Sequence, residues 1–285
     1  MNNEEITFVV QGPFYIDKNG LTTNDLLKSI YILFPQSEII YSTWRGIKEE
    51  LGFVNYVLNQ DPGEVNSEFL PIKNFKRLLV STSNGIKKAT RPIVVKMRSD
   101  SLCEVNKLDF SMSSLGASCH NKILIAMHST PIMAFMLDDK IQIGKKELMM
   151  ELWNEERISD LGKIKIIASN STAMECIYVS QSLQLAPEQI LFLGYVKNIT
   201  RLKWINKSKL EVYKSYLIML RKNFYFISAA KYGFGSLKWR YGNSLKLFLY
   251  LLLINKIPIN ASSFIFSLIH TLKYKKVFKI NKVKN

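Results

Sequence analysis

An α/β fold, with a mostly parallel sheet flanked by helices and a basic, partly apolar helical C-terminal region, is what this sequence predicts. Three observations lead there. Short apolar runs alternate with longer segments of helical period, turn residues separate them, and the positive charge is gathered at one end of the chain. With 285 residues and 47% hydrophobic content the chain can bury a proper core, which excludes a disordered protein.

The elements follow in order. "ITFVVQGP" is a short apolar run closed by Gly12 and Pro13, a buried strand ending in a turn. "TTNDLLKSIYILFP" places Leu26, Leu27, Ile30 and Leu33 on one helical face, starts with Thr22 and Asp25 at capping-box spacing, and stops at Pro35. "SEIIYSTW" is a second strand, "GIKEELGF" a weak helix, and "NYVLNQDPGE" a third strand running into a Pro-Gly turn. "NFKRLLVSTSNGIKKA" is an amphipathic helix and "RPIVVKM" a fourth strand. Such βαβαβαβ alternation predicts a parallel sheet covered on both faces, with ligands outside the carboxyl ends of its strands. Gln11 to Pro13, Ser42 to Trp44 and Arg98 to Asp100 all follow strands in that position. Further on, "KILIAMHS" and "PIMAFMLDDKIQIG" read as strands, and "KKELMMELWNEERISDL" and "SNSTAMECIYVSQSLQL" as helices.

From Lys197 to the end there are 19 Lys or Arg against the single acid Glu211, about +18, so a net +16 leaves residues 1–196 at about −2. We therefore expect a catalytic domain over residues 1–196 and a basic helical region over 197–285. Within the latter, "LKLFLYLLLINKIPI" and "SSFIFSLIHTL" are too short for spanning helices, which need roughly 18 apolar residues. Lysines around short apolar helices suit a segment lying in a membrane interface. The alternative is an ordinary buried helix with solvated lysines. The acidic start, "MNNEE", is unlike a secretory leader, and Cys103, Cys119 and Cys176 form neither a disulfide framework nor a zinc spacing. A cytoplasmic protein with reduced thiols is expected. His120, His128 and His270 build no ligand cluster, and no P-loop, GxSxG or GxGxxG is present.

"VVQGP", "FPQSEIIYSTW", "DPGE", "NFKRLLVSTSNGIKKA" and "VVKMRSD" come in an order and spacing that resemble the WavE family of lipopolysaccharide-synthesis proteins, over roughly residues 5–160. The segment "LDDKIQIGKKELMMELW" is similar to that family's later Asp-containing strand and helix. The resemblance implies a GT-A-like, Rossmann-like glycosyltransferase that uses a nucleotide-sugar donor to build surface polysaccharide. It would act on a lipid-linked glycan at the inner face of the cytoplasmic membrane. "NGIKKATRPIVVKMRSDS" is also similar to the GT-A segment that ends in a DxD motif, whose carboxylates hold a divalent cation, manganese or magnesium, on the donor diphosphate.

Here Asp100 matches the second acid and Arg98 replaces the first. Either the Arg98 guanidinium takes over the cation's work in a metal-free site, or Asp100 holds a metal with help from Asp138 or Asp139. Alternation puts Lys96, Arg98 and Asp100 on one face, which also admits a simple ion pair. The donor-binding expectations are then Gln11, Gly12, Pro13, Thr43, Trp44, Arg77, Lys96, Arg98 and Asp100, with Ser42 beside them. Asp139, ahead of Asp138 and a weaker Glu175, is the expected general base for the acceptor hydroxyl. Two other classes compete. The basic, aromatic stretch 201–250 would suit single-stranded nucleic acid, and a sugar nucleotidyltransferase could share the sheet, although "VVQGPFYIDKNG" is a poor phosphate loop.

Overall fold

The structure is a computed structural model that describes residues 3–46, 51–64, 73–103, 121–128, 135–156, 186–196, 208–236 and 244–269. Cys119, Cys176, His120, Glu175, His270, the expected helix 169–185 and part of the expected helix 46–53 lie outside them.

Strand β1, Ile6–Gln11, is buried along its whole length because it sits inside the sheet between two neighbours. Helix α1, Thr23–Leu33, starts as the sequence predicts: the Asp25 amide donates to Thr22 Oγ1 at 3.3 Å and the Thr22 amide to Asp25 Oδ2 at 2.8 Å. It buries Leu26, Leu27 and Ile30. Strands β2, Glu38–Trp44, and β3, Asn55–Asn59, follow, then helix α2, Phe75–Lys88, then β4, Ile93–Arg98. Beyond these come β5, Ser101–Cys103; β6, Ile123–Met127; β7, Ile141–Lys145; α3, Lys146–Leu152; and α4, Pro187–Tyr195. The chain continues through α5, Lys209–Asn223; β8, Phe224–Ser228; β9, Phe234–Ser236; α6, Ser244–Asn255; and a last helix, α7, over residues 259–269.

Seven strands form one sheet in the order β3-β2-β1-β4-β7-β6-β8. Neighbours β3, β2, β1 and β4 are parallel, β7 runs antiparallel to both β4 and β6, and β6 pairs in parallel with β8. The sheet is therefore mostly parallel, as predicted. The compositional break at residue 197 is not an edge of it: β8, from within the basic stretch, is one of its strands, and β9 pairs with β5 in a small second sheet. Nothing in the sequence reading placed a strand there.

Side-chain alternation divides the core into two layers. Val9, Ile40, Val94 and Ile125 face one layer with the apolar sides of α2, α4, α5 and α6, and Phe8, Tyr41, Val95 and Leu124 face the other with α1. Helix α2 lies very close to the sheet at Gly85, where an added Cβ would stand 2.5 Å from Val9 Cγ1 and 3.0 Å from Ser42 Cβ. That close approach sets the height of the helix whose opposite turn carries Arg77.

Candidate active site

The chain steps from β1 outward to β2 and β3, then returns to the far side of β1 as β4. Diverging connections leave a crevice at the carboxyl ends of β1 and β4, where Gln11 and Arg98 are register partners. A cavity of about 560 Å³ opens there. Gln11, Gly12, Pro13, Trp44, Arg77, Arg98, Asp100 and Asp139 border it, so eight of the expected residues, from five segments of the chain, come together.

Gly12 adopts φ +120°, and a Cβ on it would meet Ser99 Oγ at 2.7 Å. Its amide donates to Ser42 O at 3.1 Å and the Ser99 amide to Gln11 O at 2.8 Å, which ties the ends of β1, β2 and β4 together. The Gln11 side chain accepts from Ser81 Oγ at 2.9 Å and is buried. Thr43, expected beside the donor, is buried and does not border the cavity, because alternation along β2 turns it to the face opposite Ser42 and Trp44.

At the centre, Arg98 grips Asp100 with two hydrogen bonds, Nε to Oδ1 at 2.9 Å and Nη2 to Oδ2 at 2.8 Å. Its Nη1 lies 3.9 Å from Asp139 Oδ2. The guanidinium thus stands between two carboxylates. Burial works against its charge, but Asp139 and Asp100 more than offset this and hold its pKa above the ordinary arginine value.

Lys96 departs from expectation. It shares the face of Arg98, yet it is two residues deeper, fully buried, and absent from the cavity wall. Its ammonium donates to the main-chain oxygen of Asp139 and lies 4.9 Å from the centre of the Trp153 ring. Burial pushes its pKa down to about 8, with Asp139 pulling the other way. Beside it, Gln142 donates from Nε2 to Asp138 O at 3.0 Å, and its Oε1 accepts from Trp153 Nε1 at 2.8 Å. Lys96 and Gln142 form a polar layer under the Asp138–Asp139 backbone.

The Asp138 carboxylate accepts from the His128 amide at 3.2 Å and the Lys140 amide at 3.0 Å and does not border the cavity. Burial would raise its pKa, but His128 and Lys140 keep it below the usual carboxylate range. Asp138 shapes the turn, and Asp139 is the member of the pair that reaches the cavity. Arg77 borders it too, but its Nε and Nη2 are each 2.8 Å from the Asp61 carboxylate, with Glu64 at 3.3 Å.

One residue escaped the sequence reading. Glu188, in the first turn of α4, borders the cavity across from Arg98 and Asp139. Burial, reinforced by the charge of Asp139, pushes its pKa up to about 7. A helix-start signal was available in "APEQ", where Pro187 occupies the first turn and Gln189 Oε1 accepts from the Ala186 amide at 2.9 Å. Nothing local says that this helix begins above the sheet. Among the described residues, no cluster of three His, Cys, Asp or Glu side chains is arranged to hold a metal ion.

Several solved structures are similar to parts of the chain at low identity. The chain is similar to residues 1–349 of Staphylococcus aureus TarS at 13% identity and a TM-score of 0.36, covering 75% of this chain and 65% of that one. It is similar to 4-diphosphocytidyl-2C-methyl-D-erythritol synthase from Anaerococcus prevotii at 14% identity and a TM-score of 0.34, over 54% of this chain and 77% of that one. A cytidylyltransferase from Leptospira borgpetersenii matches at 12% and 0.33, over 52% and 63%. Likeness at this level says nothing about substrates. No curated protein matches the sequence significantly. The model of WavE lipopolysaccharide synthesis, however, matches residues 6–235, from the first residue of β1 to the middle of β9 and thus across every strand that frames the cavity. The chain belongs to the WavE lipopolysaccharide-synthesis family.

Proposed function

We propose that this protein is a glycosyltransferase that moves a sugar from a nucleotide donor to a lipid-linked glycan of the lipopolysaccharide, lipooligosaccharide or capsule class, at the cytoplasmic face of the membrane. The observation that carries the reading is the Arg98 guanidinium between Asp100 and Asp139, at the switch point of the sheet, in a cavity shared with Glu188.

The side chains fit a divalent cation poorly. Both Asp100 oxygens are engaged by Arg98, which fills the space between the two acids where an ion would sit. A guanidinium can bind a diphosphate through its remaining N–H groups, so we assign the donor phosphates to Arg98 and make binding independent of metal. Asp100 then orients the guanidinium. Trp44 and Pro13, at the other strand ends, remain for the nucleoside.

For transfer, an acceptor hydroxyl must lose its proton as its oxygen bonds the anomeric carbon and the bond from that carbon to the diphosphate breaks. A carboxylate titrating near neutrality suits that task, and Glu188 has that property. We assign proton acceptance to Glu188, with Asp139 holding Arg98 on the phosphate side.

Net charge adds a consequence. Among the described residues, Asp61, Asp100, Asp139 and Glu188 border the cavity against Arg77 and Arg98. Donor binding should therefore tighten as pH falls through about 7 and Glu188 gains a proton, while turnover rises in the opposite direction.

Of the two competing readings, the nucleic-acid one loses support. Tyr213, Tyr216, Phe224, Phe226 and Tyr250, from the basic aromatic stretch, are buried and cannot stack on nucleobases. The testing experiment is a thermal-shift panel of UDP-, GDP-, CMP- and dTDP-sugars, each with manganese and with chelator. A donor at about 100 times its dissociation constant adds roughly 2.7 kcal/mol, or about 5–11 °C for a chain of this size. One nucleotide class should stabilise equally in both conditions. Stabilisation only with manganese would overturn the metal-free site, and no response to any nucleotide would overturn the transferase.

A further inference from the structure

Helices α6 and α7 each bury one side and expose an apolar one. Inward, Tyr250 and Phe266 meet edge to face at 5.1 Å, and Arg221 of α5 donates to Leu253 O and Ile257 O, pinning the junction between the two helices to the body. Outward, Phe248 is 56% exposed, Leu249 50%, Phe264 62% and Leu268 50%. On α7 the exposed pair is four residues apart and shares one face, and on α6 Phe248 and Leu249 are consecutive, about 100° apart around the helix. A rigidly held surface that exposes two phenylalanines and two leucines is made to be covered.

The chemistry of the cover follows from charge. The region 197–285 has 19 basic residues and one acid, and Lys246 and Lys256 sit at the two ends of α6. A second copy of this chain would set Lys246 and Lys256 against like charge and, through its net +16, be repelled, whereas an anionic bilayer complements both. Among the described residues no helix is long and apolar enough to cross a membrane. We propose that the outer faces of α6 and α7 dock in the interface of an anionic lipid bilayer, with Phe248, Leu249, Phe264 and Leu268 at acyl-chain depth and Lys246 and Lys256 on the headgroups. The surface deepens the glycosyltransferase reading, since it would bring the cavity to a lipid-borne acceptor, but lipid binding does not depend on that activity.

The test is flotation of the full chain with phosphatidylcholine vesicles, with and without phosphatidylglycerol, beside the double variant F248D/F264D. Both positions are exposed, and a melting curve matching that of the wild type checks the fold. The wild type should float with the anionic vesicles, retain part of its binding at high salt, and lose at least tenfold in affinity in the double variant. Absence of wild-type binding, equal binding by the variant, or complete loss at high salt would each overturn the proposal. So would a wild-type dimer that ignores vesicles and that the double variant converts to monomer. None of these results bears on nucleotide stabilisation, so this proposal and the transferase reading fail separately.

Discussion

Arg98 is worth more to this site as a shape than as a charge. Its two-pronged grip on Asp100 fixes the plane of the guanidinium, and a lysine there would keep the charge and lose the fork. Arg98→Lys should weaken donor affinity at least tenfold with little change in melting temperature, as titration calorimetry would show. Glu188→Gln should lower kcat by about two orders of magnitude or more and remove the rise of kcat through neutral pH, while leaving donor affinity no weaker. Its effect on stability has a definite sign. Because burial raises the folded-state pKa above the unfolded value of 4.5 to about 7, the folded chain holds the extra proton between those limits, and wild-type stability falls as pH rises through them. The Gln variant should thus melt higher than wild type at pH 8, and the gain should vanish below pH 4.5. Lys96 has the opposite pattern. Its folded pKa of about 8 lies below 10.5, so its contribution to stability improves as pH rises from 8 to 10.5. Replacing it by Met should flatten that difference and cost about 1–3 kcal/mol at pH 7, because the Asp139 oxygen loses its buried donor.

Among the elements, α2 and the β1 turn depend on the absence of a side chain. Gly85→Ala places a methyl within 2.5 Å of Val9, and the helix must lift from the sheet, at about 1–3 kcal/mol by chemical denaturation. Since α2 also carries Arg77 and Ser81, donor affinity should fall with stability. Gly12→Ala suffers both a positive φ and a 2.7 Å contact with Ser99, and should damage the cavity more than the fold. At this scale the early sequence was readable. Thr22 and Asp25 announce α1, the amphipathic segment "NFKRLLVSTSNGIKKA" announces α2, and four apolar runs announce four strands. After Asp100 the signal weakens for a physical reason. Edge strand β8 is short, and its apolar run, "FYFIS", resembles a piece of the buried helices around it.

For the whole molecule, the basic C-terminal stretch is not an appendage. Asn255 Nδ2 donates to Phe226 O at 2.8 Å, and Leu247, Tyr250, Leu253 and Ile254 lie in the same core as α5 and β8. Deleting residues 245–285 uncovers that core, so the truncated chain should aggregate on expression rather than move cleanly into the soluble fraction. Of the two readings the sequence left open for α6 and α7, the buried helix holds for one side of each, and the other side is exposed.

From the residues alone, hydrophobic period, caps and turns were enough for the sheet-and-helix order of the first hundred residues. The same residues identified the family, and strand ends pointed to Gln11, Trp44, Arg98 and Asp100, because a parallel sheet allows ligands only at one edge. What only the folded chain could decide was depth and partnership. Lys96 and Arg98 are two residues apart on one face, yet one is sealed under Trp153 and the other opens on the cavity. Asp138 and Asp139 are adjacent, yet backbone amides claim the first and leave the second to Arg98. Glu188 comes 88 residues after Asp100 and borders the same cavity. Local pattern sets the direction of a side chain relative to its own element. How far that element stands from solvent, and which distant carboxylate faces it, depends on long-range packing.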